Sequence, residues 1–369
     1  MILSFTGELL CLFVYCRKWY NKVLNNALKP PGCKLMEFEV RTGRGSYPVY
    51  VERGALKKAA DIIGKDRKVF IVTDSGVPEK WVDMLKAQFK DAGLFAFPQG
   101  EASKNIQTWS AILSAMLGAG VTRSDTLVAL GGGVAGDIGG FAAASYMRGI
   151  RFVNVPTTVL SQIDSGIGGK TAVDFGGVKN SVGAFWQPAA VIADPDVLST
   201  LPRRQFSSGL AEAVKAGIIR DPQLFAIFEK DDFADHIEEI ICRSLLVKKA
   251  IVEEDELEAG SRKLLNFGHT LGHSYESILG PDACLHGECV AMGMMAMLDS
   301  PELKARLAKV LERLGLPAKC DADPEKVLEL VRKDKKAGRG RITAVLADEI
   351  GKAYLKDIEI EELRGRLAR

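Results

Sequence analysis

Histidine is scarce in this chain, with four in 369 residues, and aromatics make up only 7%. Charge of one sign is lacking too. The net charge is +2, so nothing in the balance calls for nucleic acid or a membrane surface as partner. The seven cysteines, at 11, 16, 33, 242, 284, 289 and 320, are odd in number, irregularly spaced and never form CxxC. That argues against a disulfide framework and for a reduced, cytoplasmic protein. The apolar run Leu9–Cys16 has eight residues, far short of the ~20 that span a bilayer. With no basic residue before it and no small-residue cleavage site after it, it makes a poor signal peptide. What the chain does have is glycine, 37 residues of it, 47% apolar residues, and length enough for two domains.

Residues 1–35 do not match the remainder, and Lys29-Pro30-Pro31-Gly32 breaks any structure there. Met36 begins the clean pattern and is the expected biological start, with residues 1–35 a dispensable or mistranslated extension. Glu37–Val40 and Tyr47–Val51 read as strands. Lys68–Asp74 reads as a buried parallel strand, Pro78–Ala92 as helix, and Leu94–Phe97 as strand. A helix opens at Glu101-Ala102-Ser103-Lys104 and runs to Gly118; Thr126–Leu130 is strand, Ile138–Ala144 helix and Phe152–Val155 strand. This alternation implies a doubly wound nucleotide-binding domain.

Two glycine-rich stretches carry chemistry. Gly131-Gly132-Gly133-Val134-Ala135-Gly136 matches G-x-G-x-x-G between a strand and a helix, where backbone N–H groups can approach a pyrophosphate. The bland alternative is a tight turn that binds nothing. The acid expected about 20 residues later is missing, and Asp74 at the end of an earlier strand is the better partner for ribose hydroxyls. Asp164–Thr171 with Gly177-Val178-Lys179-Asn180 reads as a loop-rich region, either an anion cradle or a surface turn.

Beyond Asp194 the expected elements are helices, over Gly209–Gly217, Leu224–Lys249 and 302–334, with a final strand at Ile342–Leu346. Glu212 and Lys215 lie on one face of an apolar helix, so they are expected buried and in need of partners. His236 sits among acids and reads as solvated. His269 and His273 project from one helix face, and His286 follows across the Gly280-Pro281-Asp282 turn. A lone pair at this spacing is explained as well by a solvated or core pair. Three of four histidines within eighteen residues point to a metal, with Glu212 as the carboxylate ligand.

The motifs GGGVAGDIGGF, YMRGI, VPTTVLSQIDSGIGGKTAV, VKNSVGAFWQP, GLAEAVKAGII, DELEAGSRKLLNFGHTLGHSYE, HGECVAMGM and DKKAGRGRI together resemble the 3-dehydroquinate synthases of the sugar-phosphate cyclase family, over nearly all of 36–365. The resemblance implies an α/β NAD-binding domain over 36–193, an all-α metal and substrate domain over 194–369, and a homodimer. It implies zinc or cobalt on Glu212, His269 and His286. It also implies a phosphate cradle of Lys170, Asn180, His273 and Lys335 or Lys336, with Arg148 reaching the partner subunit's phosphate. Asp164, Lys215, Lys248, Arg262 and Asn266 would bind hydroxyls and carboxylate, and Glu258 and His273, with Lys170 and Asp164, would serve catalysis. NAD would lie along Asp74, Glu101, Lys104, Gly132, Gly133, Val134, Asp137, Thr157, Thr158, Lys170, Lys179, Val197 and Thr200. Two features depart from the family: the segment after Met297 is shorter than usual, and the extension before Met36 has no counterpart.

The implied reaction converts 3-deoxy-D-arabino-heptulosonate 7-phosphate to 3-dehydroquinate and phosphate, with NAD and a divalent metal, in the shikimate pathway. A metal-dependent polyol or glycerol-phosphate dehydrogenase is the main rival. It would need no phosphate cradle opposite the metal. A sister cyclase and a non-catalytic NAD- or metal-binding protein are the others.

Overall fold

The computed structural model describes residues 36–43, 45–280, 282–333 and 340–367. The extension before Met36, and Lys335 and Lys336, lie outside them. Strands β1 (Met36–Thr42) and β2 (Gly45–Val51) form an antiparallel hairpin. The chain continues through α1 (Ala59–Ile63), β3 (Val69–Asp74), α2 (Glu79–Lys86), β4 (Ala92–Phe97), α3 (Ile106–Gly118), β5 (Thr126–Gly131), α4 (Gly133–Ser145) and β6 (Arg151–Pro156). Then come β7 (Lys170–Phe175), β8 (Val178–Phe185) and β9 (Ala190–Ala193). The helices that follow are α5 (Arg203–Ile219), α6 (Pro222–Phe228), α7 (Ile237–Glu254), α8 (His269–Leu279), α9 (His286–Met297), α10 (Pro301–Leu314) and α11 (Pro324–Lys333). A hairpin of β10 (Arg341–Ala347) and β11 (Ala353–Glu359) precedes α12 (Ile360–Leu367).

The main sheet has seven strands in the order β1-β2-β9-β6-β5-β3-β4, and all neighbours but β1 and β2 run parallel. Its central strands β3, β5, β6 and β9 are buried on both faces, so alternate residues feed separate cores. Phe70, Val72, Leu127 and Ala129 meet α3 and α4, whereas Val69, Ile71, Val128 and Leu130 join the larger core of the helical half. From β3 the chain moves outward to β4, then returns past β3 to β5. That reversal opens a crevice at the carboxyl ends of β3 and β5, where Asp74 and Gly131 lie.

The structure corrects several expected boundaries. The loop-rich region 164–180 contains most of a β-hairpin, β7–β8, which is packed on α4. Its turn, Gly176-Gly177, has both residues at positive φ (60° and 76°), which suits a two-residue hairpin turn. Helix α2 stops at Lys86 rather than Ala92, because the Gln88 amide donates to the carbonyls of Leu56 and Met84, each at 2.8 Å. Helix α3 starts only at Ile106, capped by the Asn105 side chain accepting from the Thr108 N–H. The expected helix 224–249 is two, α6 and α7, parted by the charged run Glu229–Asp232, which offers no apolar stripe. The stretch 302–334 likewise divides at Gly315, a left-handed C-cap (φ 69°) two residues before Pro317. Strand β10 fulfils the final strand, and β11 adds a partner that was not anticipated. After Met297 only Leu298–Ser300 separate α9 from α10.

Candidate active site

Helix α5 is buried over nearly all its length, and Glu212 and Lys215 are each only 2% exposed. Lys215 Nζ pairs with Glu212 Oε2, yet neither carboxylate oxygen meets a donor in hydrogen-bonding geometry. Into this deficit turn two imidazoles. His269 Nε2 lies 3.4 Å and His286 Nε2 3.5 Å from Glu212 Oε1. The three donor atoms fall within 4.8 Å of one another. Their outer nitrogens are engaged: His269 Nδ1 lies 3.2 Å from the Phe267 carbonyl, and His286 Nδ1 lies 3.1 Å from Glu276 Oε2. A buried carboxylate and two oriented imidazoles so placed could hold a divalent cation.

The electrostatics agree. Burial would raise the Glu212 carboxyl, but Lys215, His269 and His286 together hold it well below the usual carboxylate range. Burial, then Lys215, push His269 down to about 3, which leaves a neutral ring. His286 goes the other way: burial opposes charge, but Glu212 and Glu276 raise it to about 9. Cation binding must therefore expel a proton.

Glycines set this geometry by bringing backbones together. A Cβ on Gly293 would overlap the Gly268 carbonyl, and one on Gly287 would overlap that of Ser208. So α9 touches the start of α8 and also the helix α5 that bears Glu212. Arg204 strengthens the second contact, donating through Nε and Nη2 to both Glu288 oxygens at 2.7 Å each.

Around the cluster stand paired charges. Lys248 on α7 donates to Asp164 Oδ1 at 2.8 Å. Lys170 donates to Glu258 Oε2 at 2.5 Å, and Asn266 to Glu258 Oε1 at 3.3 Å. Glu258 and Asn180 both hold left-handed backbone (φ 64° and 53°), a conformation that costs a non-glycine residue energy. His273 is exposed at the mouth, its ring 5.3 Å from that of His269 and 5.9 Å from that of His286. Arg262 is almost wholly buried, its guanidinium donating to the carbonyls of Gly168 at 3.1 Å and Glu256 at 2.5 Å.

A second constellation lines the switch-point crevice. Helix α4 begins at Gly133 without a side-chain cap, so its first N–H groups remain open to an anion. A Cβ on Gly132 would press on Thr158, and one on Gly131 would come within 3.2 Å of Asp74 Oδ2. Thr157 N–H donates to the Gly131 carbonyl at 2.8 Å. Lys104 donates to Asp137 at 2.6 Å and to Asn180 at 2.5 Å, with Glu101 3.9 Å away. Val134 is half-buried on the first turn of α4 and Val197 is buried, while Thr200 accepts from Trp81 Nε1 at 2.9 Å. A glycine cradle at an open helix start fits a dinucleotide.

Lys179 reaches Glu276 on α8 at 2.6 Å, and Arg148 is exposed beyond α4, with no hydrogen bond joining it to the cluster among the described residues. His236 lies apart, beside Asp232 and Glu239. Three residues escaped the sequence reading. Glu276 lies seven after His269, on the same helix face, which was the available signal. Glu288 and Ser165 gave none, although the Ser165 hydroxyl is buried without a partner, 3.3 Å from where a Gly133 Cβ would lie.

Comparison with known proteins agrees with this arrangement. Residues 94–208 match the N-terminal model of 3-dehydroquinate synthase, and residues 209–337 match its C-terminal model. The chain is 40% identical to a 3-dehydroquinate synthase of Streptococcus thermophilus over 352 residues, covering 89% of this chain and 99% of that protein. It is also 40% identical to that of Clostridium acetobutylicum over 344 residues, covering 88% and 97%. Among solved structures, a 2-epi-5-epi-valiolone synthase from Streptomyces hygroscopicus, holding NAD+ and Zn2+, is 28% identical with TM-score 0.79, covering 87% of this chain and 96% of that one. A 2-deoxy-scyllo-inosose synthase (TM-score 0.80, 24% identity, covering 90% and 99%) shares the fold, whereas a probable glycerol dehydrogenase from Sinorhizobium meliloti, at 16% identity, is a looser likeness, with TM-score 0.56. With both models in register and relatives matched almost end to end, this chain belongs to the 3-dehydroquinate synthase family.

Proposed function

We propose that this chain is a 3-dehydroquinate synthase, which converts 3-deoxy-D-arabino-heptulosonate 7-phosphate to 3-dehydroquinate and phosphate. The observation that carries the reading is the buried Glu212–His269–His286 cluster, ringed by the Lys170–Glu258 and Lys248–Asp164 pairs. Glu212, His269 and His286 would hold a divalent cation, zinc or cobalt. Asp74, Gly132, Gly133, Val134, Thr157 and Thr158 would line the NAD site, with Glu101, Lys104, Asp137, Lys170, Lys179, Val197 and Thr200 around it. When bound, the cation supplies a Lewis acid and NAD a reversible hydride acceptor.

The chain's own residues supply binding and proton handling. Lys170, Asn180, His273 and a lysine of Lys335-Lys336 would take the phosphate, and Lys215, Lys248, Arg262, Asp164 and Asn266 the hydroxyls and carboxylate. Glu258 and His273 would move protons, Glu258 being held by Lys170 and Asn266. Such fixed charges orient one intermediate through several steps. Residues 36–193 would act as the nucleotide domain and 194–369 as the metal and substrate domain. Two copies would pair so that Arg148 serves the partner's site.

The test supplies the heptulosonate phosphate with substoichiometric NAD. Many phosphates per NAD, with no lasting NADH absorbance, is the expected outcome. NADH rising one for one with substrate consumed would instead mark a dehydrogenase.

A further inference from the structure

Glu276 is held from two sides by parts of the chain that are far apart in sequence. Its Oε2 lies 3.1 Å from His286 Nδ1 on α9, and its Oε1 accepts from Lys179 Nζ at 2.6 Å. Lys179 sits on β8, in the hairpin that packs on the nucleotide-side helix α4. The Glu276 side chain is 17% exposed while that of Lys179 is 56% exposed, so a surface ammonium is drawn onto a shielded carboxylate. Among the described residues Glu276 is the partner of His286 Nδ1, and His286 Nε2 faces Glu212. One carboxylate thus faces the outer nitrogen of an imidazole and also receives a tether from the hairpin.

We infer that Glu276 is a positioning residue for the His286 imidazole, and that Lys179 acts chiefly by anchoring Glu276, so that docking of the β7–β8 hairpin and cation binding reinforce each other. This rests on the proposal that Glu212, His269 and His286 hold the cation. It goes beyond that proposal by giving Lys179 a role at the carboxylate behind the metal ligand. A carboxylate behind a ligating histidine fixes the ring and raises its basicity, and losing one typically costs ten- to a hundredfold in metal affinity. An exposed ion pair is weak by itself. The contribution of Lys179 is accordingly smaller than that of Glu276 and depends on it.

The experiment measures Zn2+ affinity of the full chain by competition with a chromogenic chelator, and records the visible absorption of the Co2+-loaded protein. Glu276→Gln is expected to weaken Zn2+ binding about ten- to a hundredfold and to alter the Co2+ spectrum. Lys179→Gln, a surface change that leaves the fold intact, is expected to weaken it a few-fold, and the double variant should match Glu276→Gln alone. Unchanged or tighter Zn2+ binding in Lys179→Gln would overturn the inference. So would an equal loss from Lys179→Gln in the Glu276→Gln background, or a loss of NAD affinity with Zn2+ affinity intact. His269→Ala separates the two layers. If it keeps full Zn2+ affinity, the cation site itself is misassigned; if it loses Zn2+ while both Glu276 and Lys179 variants bind normally, only the anchoring role fails.

Discussion

Lys248 is joined to Asp164 twice, its ammonium donating to the side-chain Oδ1 at 2.8 Å and to the backbone carbonyl of the same residue at 2.6 Å. The lysine belongs to α7 of the helical half, and the aspartate follows β6 of the sheet. This contact locks the two halves across the cleft. Lys248→Ala removes the buried member of the pair and strands a carboxylate that is 27% exposed, so the loss should fall at the low end of the roughly 3–5 kcal/mol found for broken buried pairs. Urea unfolding of Lys248→Ala, Asp164→Ala and the double variant checks it. The double variant should recover part of the loss, and simple additivity would mean the pair is not coupled.

Lys170→Ala should lower kcat/KM about ten- to a hundredfold, the worth of one charge-assisted contact to an anion. Lys170 is half exposed and pairs with Glu258 in the cluster, so any loss of dinucleotide affinity should be smaller than the loss in kcat/KM. Steady-state kinetics with a separate NAD titration distinguish the two effects. Equal losses in both would move Lys170 out of the phosphate cradle.

Stripped of metal by a chelator, the protein should be most stable near pH 6.5, with stability lost on both sides. His286 is raised to about 9 from 6.5, so its contribution is complete below pH 6.5 and disappears as pH climbs through 9. His269 is lowered to about 3, so its contribution is present above pH 6.5 and is lost as pH falls toward 3. Saturating Zn2+ should remove the alkaline loss, because the ligated ring no longer depends on its proton. Melting curves from pH 5 to 9, with and without Zn2+, test this. An alkaline loss that persists under Zn2+ would count against His286 as a ligand.

Gly293→Ala should destabilise by about 1–3 kcal/mol, the usual cost of overpacking, because its Cβ meets backbone rather than a movable side chain. Since α8 carries His269 and α9 carries His286, the same change should also weaken Zn2+ binding. A folded variant with parental Tm and Zn2+ affinity would show that the helices need not touch.

Much of this was legible from residue order. The histidines at 269, 273 and 286 announced themselves by scarcity and spacing, and Glu212 with Lys215 by standing alone among apolar neighbours. Six of the seven strands of the main sheet followed from alternating apolar runs and helical stretches, whereas β9, only four residues long, did not. The β7–β8 hairpin did not, because Gly168-Gly169 and Gly176-Gly177 interrupt its alternation, and only Thr171 and Val173 of β7 turn inward. Glu276 was hidden for another reason: a glutamate on an amphipathic helix resembles any solvated acid until the chain that covers it is known.

The place of β9 has a consequence for how the chain assembles. Strand β2 meets the rest of the sheet only through Ala190–Ala193, which slots between β2 and β6. The first hairpin made therefore waits, docked to nothing in the sheet, until the last strand of the layer exists. During that interval β2 and β6 each present an open parallel edge, the kind of surface on which chains pair wrongly. Synthesis order and sheet order thus conflict, and closing the sheet waits on long-range pairing, the kind of contact that slows folding. A fragment ending before Ala190 would leave those two edges open for good.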